Sequence, residues 1–310
     1  MSDYSVFITG AAGFLGTYIA EACRKTGMKI VGIDLNPPRE IDIFEEFYQL
    51  DCATADYDAI LSDHMFTHIF HLAGSASVPF SVENPEGDFS SLLPATARLL
   101  ASMGRLQGRK PKICLISSAA VYGNPRNLPI LESDDSTPLS PYGVHKLMAE
   151  SMVQHYGRIY GFNSTVMRVF SAYGPGLRKQ LIWDVCCRML DADNRNDTIE
   201  IFGTGTETRD FIHAKDVAAA ALLIAKNSND GHEVFNLASG MESTVASVCS
   251  RLSEALGDVC NYSFNLTVRQ GDPLFWRANI VKLESIGFSP SVSFSEGLSE
   301  TALWVRSVQK

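Results

Sequence analysis

Three residues stand where together they could move a proton and a hydride. Ser118 follows the strand-like run Ile113-Ser117, and 24 residues beyond it lies Tyr142-Gly143-Val144-His145-Lys146. A spacing of four puts Tyr142 and Lys146 on one face of a helix. A free phenol has a pKa of about 10, so a Tyr acting as a base near neutral pH needs positive charge beside it. Lys146 and an oxidised nicotinamide would supply that charge. Ser118 would orient the reacting hydroxyl, and Tyr142 would take its proton as a hydride leaves the same carbon. A Tyr-x-x-x-Lys pair alone also arises as a half-buried Tyr with a solvated Lys on an amphipathic helix. The order in this chain, a glycine loop, then a strand-end Ser, then the pair, favours the catalytic set of Ser118, Tyr142 and Lys146.

That glycine loop is Gly10-Ala11-Ala12-Gly13-Phe14-Leu15-Gly16, placed between an apolar run, Val6-Thr9, and a helical-looking Thr17-Thr26. Such a loop gives a tight turn and a close approach of backbone to pyrophosphate, with the helix N-terminus facing the anion. Glycine-rich turns also occur for conformational reasons alone, but the strand before and helix after make Gly10, Gly13, Phe14, Leu15 and Gly16 a dinucleotide site. Asp34 ends the second strand, 18 residues after Gly16. There a carboxylate accepts hydrogen bonds from the adenosine ribose and repels a 2'-phosphate, which favours NAD over NADP. Asp34 could instead be a surface turn residue, and the nearby Arg39 keeps NADP open. Asp51 closes the third strand and meets either the adenine amine or only its own turn.

Apolar runs at Val6-Thr9, Ile30-Asp34, Phe47-Asp51, His68-Leu72, Ile113-Ser117 and Ser164-Val169 alternate with helical stretches. This is the rhythm of a Rossmann-type α/β fold, a doubly wound parallel sheet. After Gly174 the rhythm breaks, and a smaller C-terminal substrate domain is expected. The helical Asp216-Lys226 and strand-like Glu233-Leu237 return the chain to the first unit before a helix at Ser243-Leu256. The division is therefore discontinuous: residues 1–170 and 210–240 for the cofactor, 171–209 and 241–310 for the substrate. The 310 residues carry a net charge of −9, which argues against a nucleic-acid or anionic-membrane surface. The longest apolar run, Val217-Ala225, is too short to span a bilayer. Seven scattered cysteines without Cys-x-x-Cys spacing point to no metal site and to a reducing cytoplasm. The apolar run Val6-Phe7-Ile8 is strand-like and has no basic region leading into a signal-like stretch, so export is not expected.

These motifs resemble the extended short-chain dehydrogenase/reductase family, in its NAD-dependent sugar epimerase/dehydratase branch. The likeness runs over nearly the whole chain. It includes His71-Leu72-Ala73-Gly74, Arg168-Val169-Phe170-Ser171-Ala172-Tyr173-Gly174-Pro175, Gly203-Thr204-Gly205 through Arg209-Asp210-Phe211-Ile212-His213, and Arg269-Gln270-Gly271-Asp272. The resemblance implies that Leu72, Ala73 and Gly74 line the nicotinamide side of NAD. It implies that Arg209 and Arg269 hold the diphosphate of a nucleotide sugar, most simply a UDP-sugar, as suits the planar fork of Arg. By the same likeness Ser118 and Ser171 touch the sugar. Trp276 forms a wall that hinders an N-acetyl group at C2, although ordinary core packing is nearly as good a reading of that Trp. His71 and His213 are expected to be structural.

A homodimer is implied too, built from the helix of Tyr142 and the helix before the fifth strand, with Met148, Met152, Val153 and Tyr156 as apolar contacts; the same spacing would also suit the protein's own core. Two motifs depart from the family. Ser171 stands where an Asn is usual, and Leu92-Leu93-Pro94-Ala95-Thr96 replaces Asn-Val-x-Gly-Thr. Sugar dehydratases place Asp-Glu directly after the catalytic Ser or Thr, whereas this chain has Ala119 and Ala120, so dehydration is disfavoured. The expected activity is a nucleotide-sugar 4-epimerase working through a 4-keto intermediate. An NAD(P)H-dependent 4-keto-sugar reductase and a non-catalytic nucleotide sensor are the alternatives.

Overall fold

The computed structural model describes residues 4–195, 198–228, 230–267 and 274–309. Its strands are β1 Ser5–Thr9, β2 Lys29–Asp34, β3 Glu46–Gln49, β4 His68–His71, β5 Lys112–Ser118, β6 Ser164–Val169, β7 Ser171–Tyr173, β8 Ile199–Ile201, β9 Thr208–His213, β10 His232–Leu237, β11 Glu242–Thr244 and β12 Tyr262–Phe264. Its helices are α1 Phe14–Lys25, α2 Tyr57–Asp63, α3 Val78–Glu83, α4 Pro85–Arg105, α5 Pro141–Tyr160, α6 Gln180–Arg195, α7 Ala214–Asn227, α8 Val245–Leu256, α9 Val281–Ser285 and α10 Phe294–Val308.

Seven strands form one sheet in the order β10-β6-β5-β4-β1-β2-β3, and every pairing in it is parallel. The order reverses direction at β1, so the crevice at the carboxyl ends of β1 and β4 is the place where such sheets bind ligands. Side-chain alternation sends Val6 and Ile8 of β1, with Cys114 and Ile116 of β5, into a core under α1 and α7. Phe7, Ile113 and Leu115 point the other way, into a core under α2, α4 and α5. Each fully buried Ile, Leu or Phe in these layers contributes roughly 1.5–3 kcal/mol. A third core joins α6, α8 and α10 with β8 and β9. The short sheets β11-β9-β7 and β12-β8 accompany it.

The elements differ from the sequence reading mainly at their ends. Helix α1 starts at Phe14, not Thr17, because Gly13 already serves as its N-cap in an extended conformation. Strand β3 ends at Gln49, two residues short of Asp51. Residues Ser243 and Thr244 belong to β11, and Thr244 caps α8 by accepting from the Ser247 amide. Among the described residues no helix is long and apolar enough to cross a membrane.

Candidate active site

Strand β5 ends on Ser118, whose extended backbone and side chain cap the short 3-10 turn Ala119–Val121: Ser118 Oγ accepts from the Ala120 amide at 3.1 Å. Helix α5 must close against this turn. Its N-terminus is well specified, with Ser140 as cap, Pro141 in the first turn and Gly161 left-handed at the far end. Gly143 allows the approach, since a Cβ there would lie 2.6 Å from the Ala120 carbonyl oxygen. The contact brings Tyr142, which is buried, to the side of Ser118, whose side chain bears on the titration of its phenol. One turn on, Lys146 Nζ donates to the Ile116 carbonyl at 3.0 Å and lies 5.7 Å from the centre of the Tyr142 ring.

Burial dominates the titration of both groups. It pushes the Tyr142 phenol up to about 12, against a lowering hydrogen bond from Ser118. It pulls Lys146 down to about 8, opposed by the charges of Asp88 and Glu150. Lys146 is thus still protonated at neutral pH with a small margin, and Tyr142 needs further positive charge before it can act as a base.

The glycine loop occupies the crevice between β1 and β4. Gly10 has φ +72°, and a Cβ on it would lie 2.9 Å from Ala73 N and the Leu72 carbonyl carbon, so both the backbone shape and the space require glycine. Gly13 caps α1 without a side-chain hydrogen bond, and the first turn Phe14-Leu15-Gly16 carries no acidic residue. The backbone donors of that turn are therefore left for an anion, and the cradle fits a dinucleotide pyrophosphate. Asp34 sits against the loop: Oδ2 accepts from the Ala12 amide at 3.1 Å and Oδ1 from Asn36 at 3.0 Å. Asp51 accepts from the Ala53 amide at 2.8 Å, which is its turn role.

On the β4 side, Thr9 Oγ1 accepts from the Leu72 and Ala73 amides, each at 3.3 Å. It also bonds His71 Nδ1 at 2.7 Å, while His71 Nε2 meets Thr96 Oγ1 at 2.9 Å. His71 is fully buried and held near pKa 3 by that burial, so it ties β1, β4 and α4 together as a neutral ring. Gly74, at φ +119°, faces Leu92, one of the residues that depart from the family pattern. His213 caps α7, accepting from the Lys215 amide at 3.2 Å.

Ser171, half-buried, opens β7 and pairs with Phe211. Arg209 in β9 bonds the Thr208 carbonyl at 2.9 Å, and its guanidinium lies 5.8 Å from the centre of the Trp276 ring. Trp276 Nε1 donates to the Gly123 carbonyl at 3.1 Å and its ring meets the Phe170 ring at 5.9 Å. Trp276, partly buried, therefore packs against the core and bears on Arg209 at once, and it is tied to the turn carrying Ser118. Arg269 lies outside the described residues. Among the described residues no cluster of His, Cys, Asp or Glu is set to hold a metal ion.

Two buried networks escaped the sequence reading. Glu150 accepts from Arg168 Nη2 at 2.8 Å and from the Ser117 hydroxyl, bracing α5 against β5 and β6. Its signal was present, for Glu150 continues the Tyr142, Lys146 face by one more turn. His145 Nδ1 lies 2.6 Å from Asp88 Oδ2, across α5 and α4. Nothing local in the sequence joins those two.

Fold and site together define a Rossmann-type oxidoreductase scaffold with a Ser, Tyr and Lys group at the carboxyl end of β5. The chain belongs to the NAD dependent epimerase/dehydratase family, whose model matches residues 6–238. It is 31% identical to a UDP-glucose 4-epimerase of Azospirillum brasilense over 98% of this chain and 93% of that one. A UDP-glucuronic acid 4-epimerase from Bacillus cereus, solved with UDP-glucuronic acid and NAD, superposes with a TM-score of 0.89 at 26% identity, covering 98% of this chain and 99% of that one. A UDP-N-acetylglucosamine 4-epimerase from Methanobrevibacter ruminantium, in complex with UDP-N-acetylmuramic acid, gives 0.86 at 29% identity and 99% of each chain.

Proposed function

We propose that this chain is an NAD-dependent nucleotide-sugar 4-epimerase, with a UDP-sugar as substrate. The observation that carries the reading is the convergence of Ser118, Tyr142 and Lys146 on the crevice that also holds the Gly10–Gly16 loop. Bound NAD would supply a reversible acceptor for the hydride at C4 of the sugar. Ser118 holds the C4 hydroxyl by a hydrogen bond. Tyr142 takes that hydroxyl's proton and later returns it, and Lys146 supplies positive charge next to the phenol. The proton stays on Tyr142 Oη between the two halves, so no net proton enters or leaves. Ala119 and Ala120 offer no acid for elimination, which separates this site from a dehydratase.

In this reading Gly10, Gly13, Phe14, Leu15, Gly16, Asp34, Leu72, Ala73 and Gly74 hold NAD, with residues 1–170 and 210–240 as its unit. Ser171, Arg209 and Trp276 face the nucleotide sugar from residues 171–209 and 241–310, and Arg269 is assigned to its diphosphate by the family resemblance alone. The seven cysteines, scattered and without Cys-x-x-Cys spacing, support a reducing compartment, the cytoplasm.

A homodimer through α4 and α5 is part of the proposal, with its contact set revised. Val153 is fully buried in the protein's own core, and Met152 and Tyr156 pack on that core. Val144 and Met148 of α5 and Phe89 of α4, with Phe80 of the neighbouring α3, are among the exposed apolar side chains there. Light scattering on the purified protein checks the mass; a monomer in dilute solution contradicts it.

The activity is tested by denaturing purified protein and assaying released NAD, then offering the untreated protein UDP-hexoses without added cofactor and reading C4 epimers by NMR. Bound NAD and two interconverting epimers are the expected result. A protein that purifies empty and oxidises NADPH only with a 4-keto sugar is a reductase instead.

A further inference from the structure

We infer that Asp88 and His145 form a positioning pair whose charge state sets the acid–base balance of Tyr142 and Lys146. The pair is built into the helix contact that makes the active site. His145 lies between Tyr142 and Lys146 on α5, one residue before the lysine. Asp88, 1% exposed on α4, reaches across so that its Oδ2 is 2.6 Å from His145 Nδ1. Its second oxygen, Oδ1, accepts no hydrogen bond from any described residue. A buried carboxylate with one free oxygen costs more than packing alone requires, and it persists where its charge is used.

The two ends of the pair face different surroundings. His145 lines an open cavity of about 430 Å³ with Pro85, Glu86, Phe89 and Ser90, so its imidazole can exchange protons with water. Asp88 is sealed inside, and its charge reaches both Tyr142 and Lys146. With His145 protonated the pair is neutral. With His145 neutral it carries one negative charge, which holds Lys146 protonated and opposes ionisation of Tyr142. The other charges bearing on Lys146 are Glu150 on α5, which supports its protonation, and Lys179 beyond β7, which opposes it. Glu86 borders the cavity, and His71 on β4 is buried and neutral. None of these can take the place of Asp88 beside His145.

The inference rests on the 4-epimerase reading and is tested on the NAD-loaded enzyme by comparing His145→Gln and Asp88→Asn across pH. His145→Gln leaves the Asp88 charge bare at every pH, so its turnover should be about tenfold below wild type at pH 6 and rejoin it by pH 9. Asp88→Asn makes the pair more positive by one charge, from neutral to +1 at pH 6 and from −1 to neutral at pH 9. Lys146, at about 8, keeps its proton at pH 6, so turnover should not fall below wild type there, and it should fall about tenfold at pH 9, where the unsupported ammonium is lost. Opposite pH dependences are the signature of a charge-setting pair. A uniform loss at all pH values, in variants that melt cooperatively and retain NAD, overturns the inference. Should Asp88→Asn fail to fold, the pH dependence of His145→Gln alone decides. The Lys146 ammonium titration, followed by NMR, should move to lower pH in Asp88→Asn whether or not any sugar turns over. An unmoved titration refutes the inference, and a moved one with no turnover refutes only the 4-epimerase reading.

Discussion

The proposed cofactor crevice and the proposed substrate wall are built by different means. In the crevice the fit is made by backbone: a Cβ on Gly10 would lie only 2.9 Å from the backbone of Leu72 and Ala73, and Gly13 starts α1 with its donors uncovered. At the wall it is made by side chains from separate segments, with Ser171 on β7, Arg209 on β9 and Trp276 brought in by hydrogen bonds to Gly123 and Thr208. Backbone geometry serves one cofactor and tolerates little change. Side chains can be exchanged one at a time, which fits a family whose solved members bind UDP sugars as different as a glucuronic acid and an N-acetylmuramic acid.

That contrast can be broken at graded cost. The largest effect is expected at the seam between the two regions: Tyr142→Phe should lower turnover by roughly 10²–10⁴ while bound NAD is unchanged. Near-normal turnover by steady-state assay removes Tyr142 from the chemistry. Lys146→Ala should lower turnover and NAD content together, since one charge serves both regions; a variant normal in both respects makes Lys146 a bystander.

Gly10→Ala tests the backbone side alone. The left-handed residue costs about 1–2 kcal/mol before any clash is counted, so the variant should melt earlier and purify with less NAD. Full NAD content with an unchanged melting temperature contradicts the close-fit account. Trp276→Ala tests the side-chain side and should have the smallest effect: turnover of N-acetylated relative to plain UDP-hexoses rises a few-fold, with a modest loss of stability from the Phe170 contact. An unchanged ratio leaves Trp276 a packing residue only.

What could be read from the sequence follows the same division. The glycine loop and the Tyr142, Lys146 pair are local, specified by residues within a few positions of one another, and their meaning survives translation into a strand, turn or helix. Helix and strand ends were less legible: Gly13 starts α1 three residues early because an extended glycine can cap a helix without any side-chain signal. Spacing along α5 leaves Val153 open to a partner subunit or to the protein's own core, and only the packing of the helix puts it in the core. The Asp88–His145 pair joins residues 57 apart, and only the packing of α4 on α5 makes it a pair.

The central claim is that hydrogen leaves C4 of the sugar and returns to it within one closed site. The direct measurement uses a UDP-hexose deuterated at C4, incubated with the protein in ordinary water without added cofactor and analysed by NMR and mass spectrometry. The account predicts inverted product that keeps the deuterium at C4. Product in which solvent hydrogen has replaced the label would contradict it.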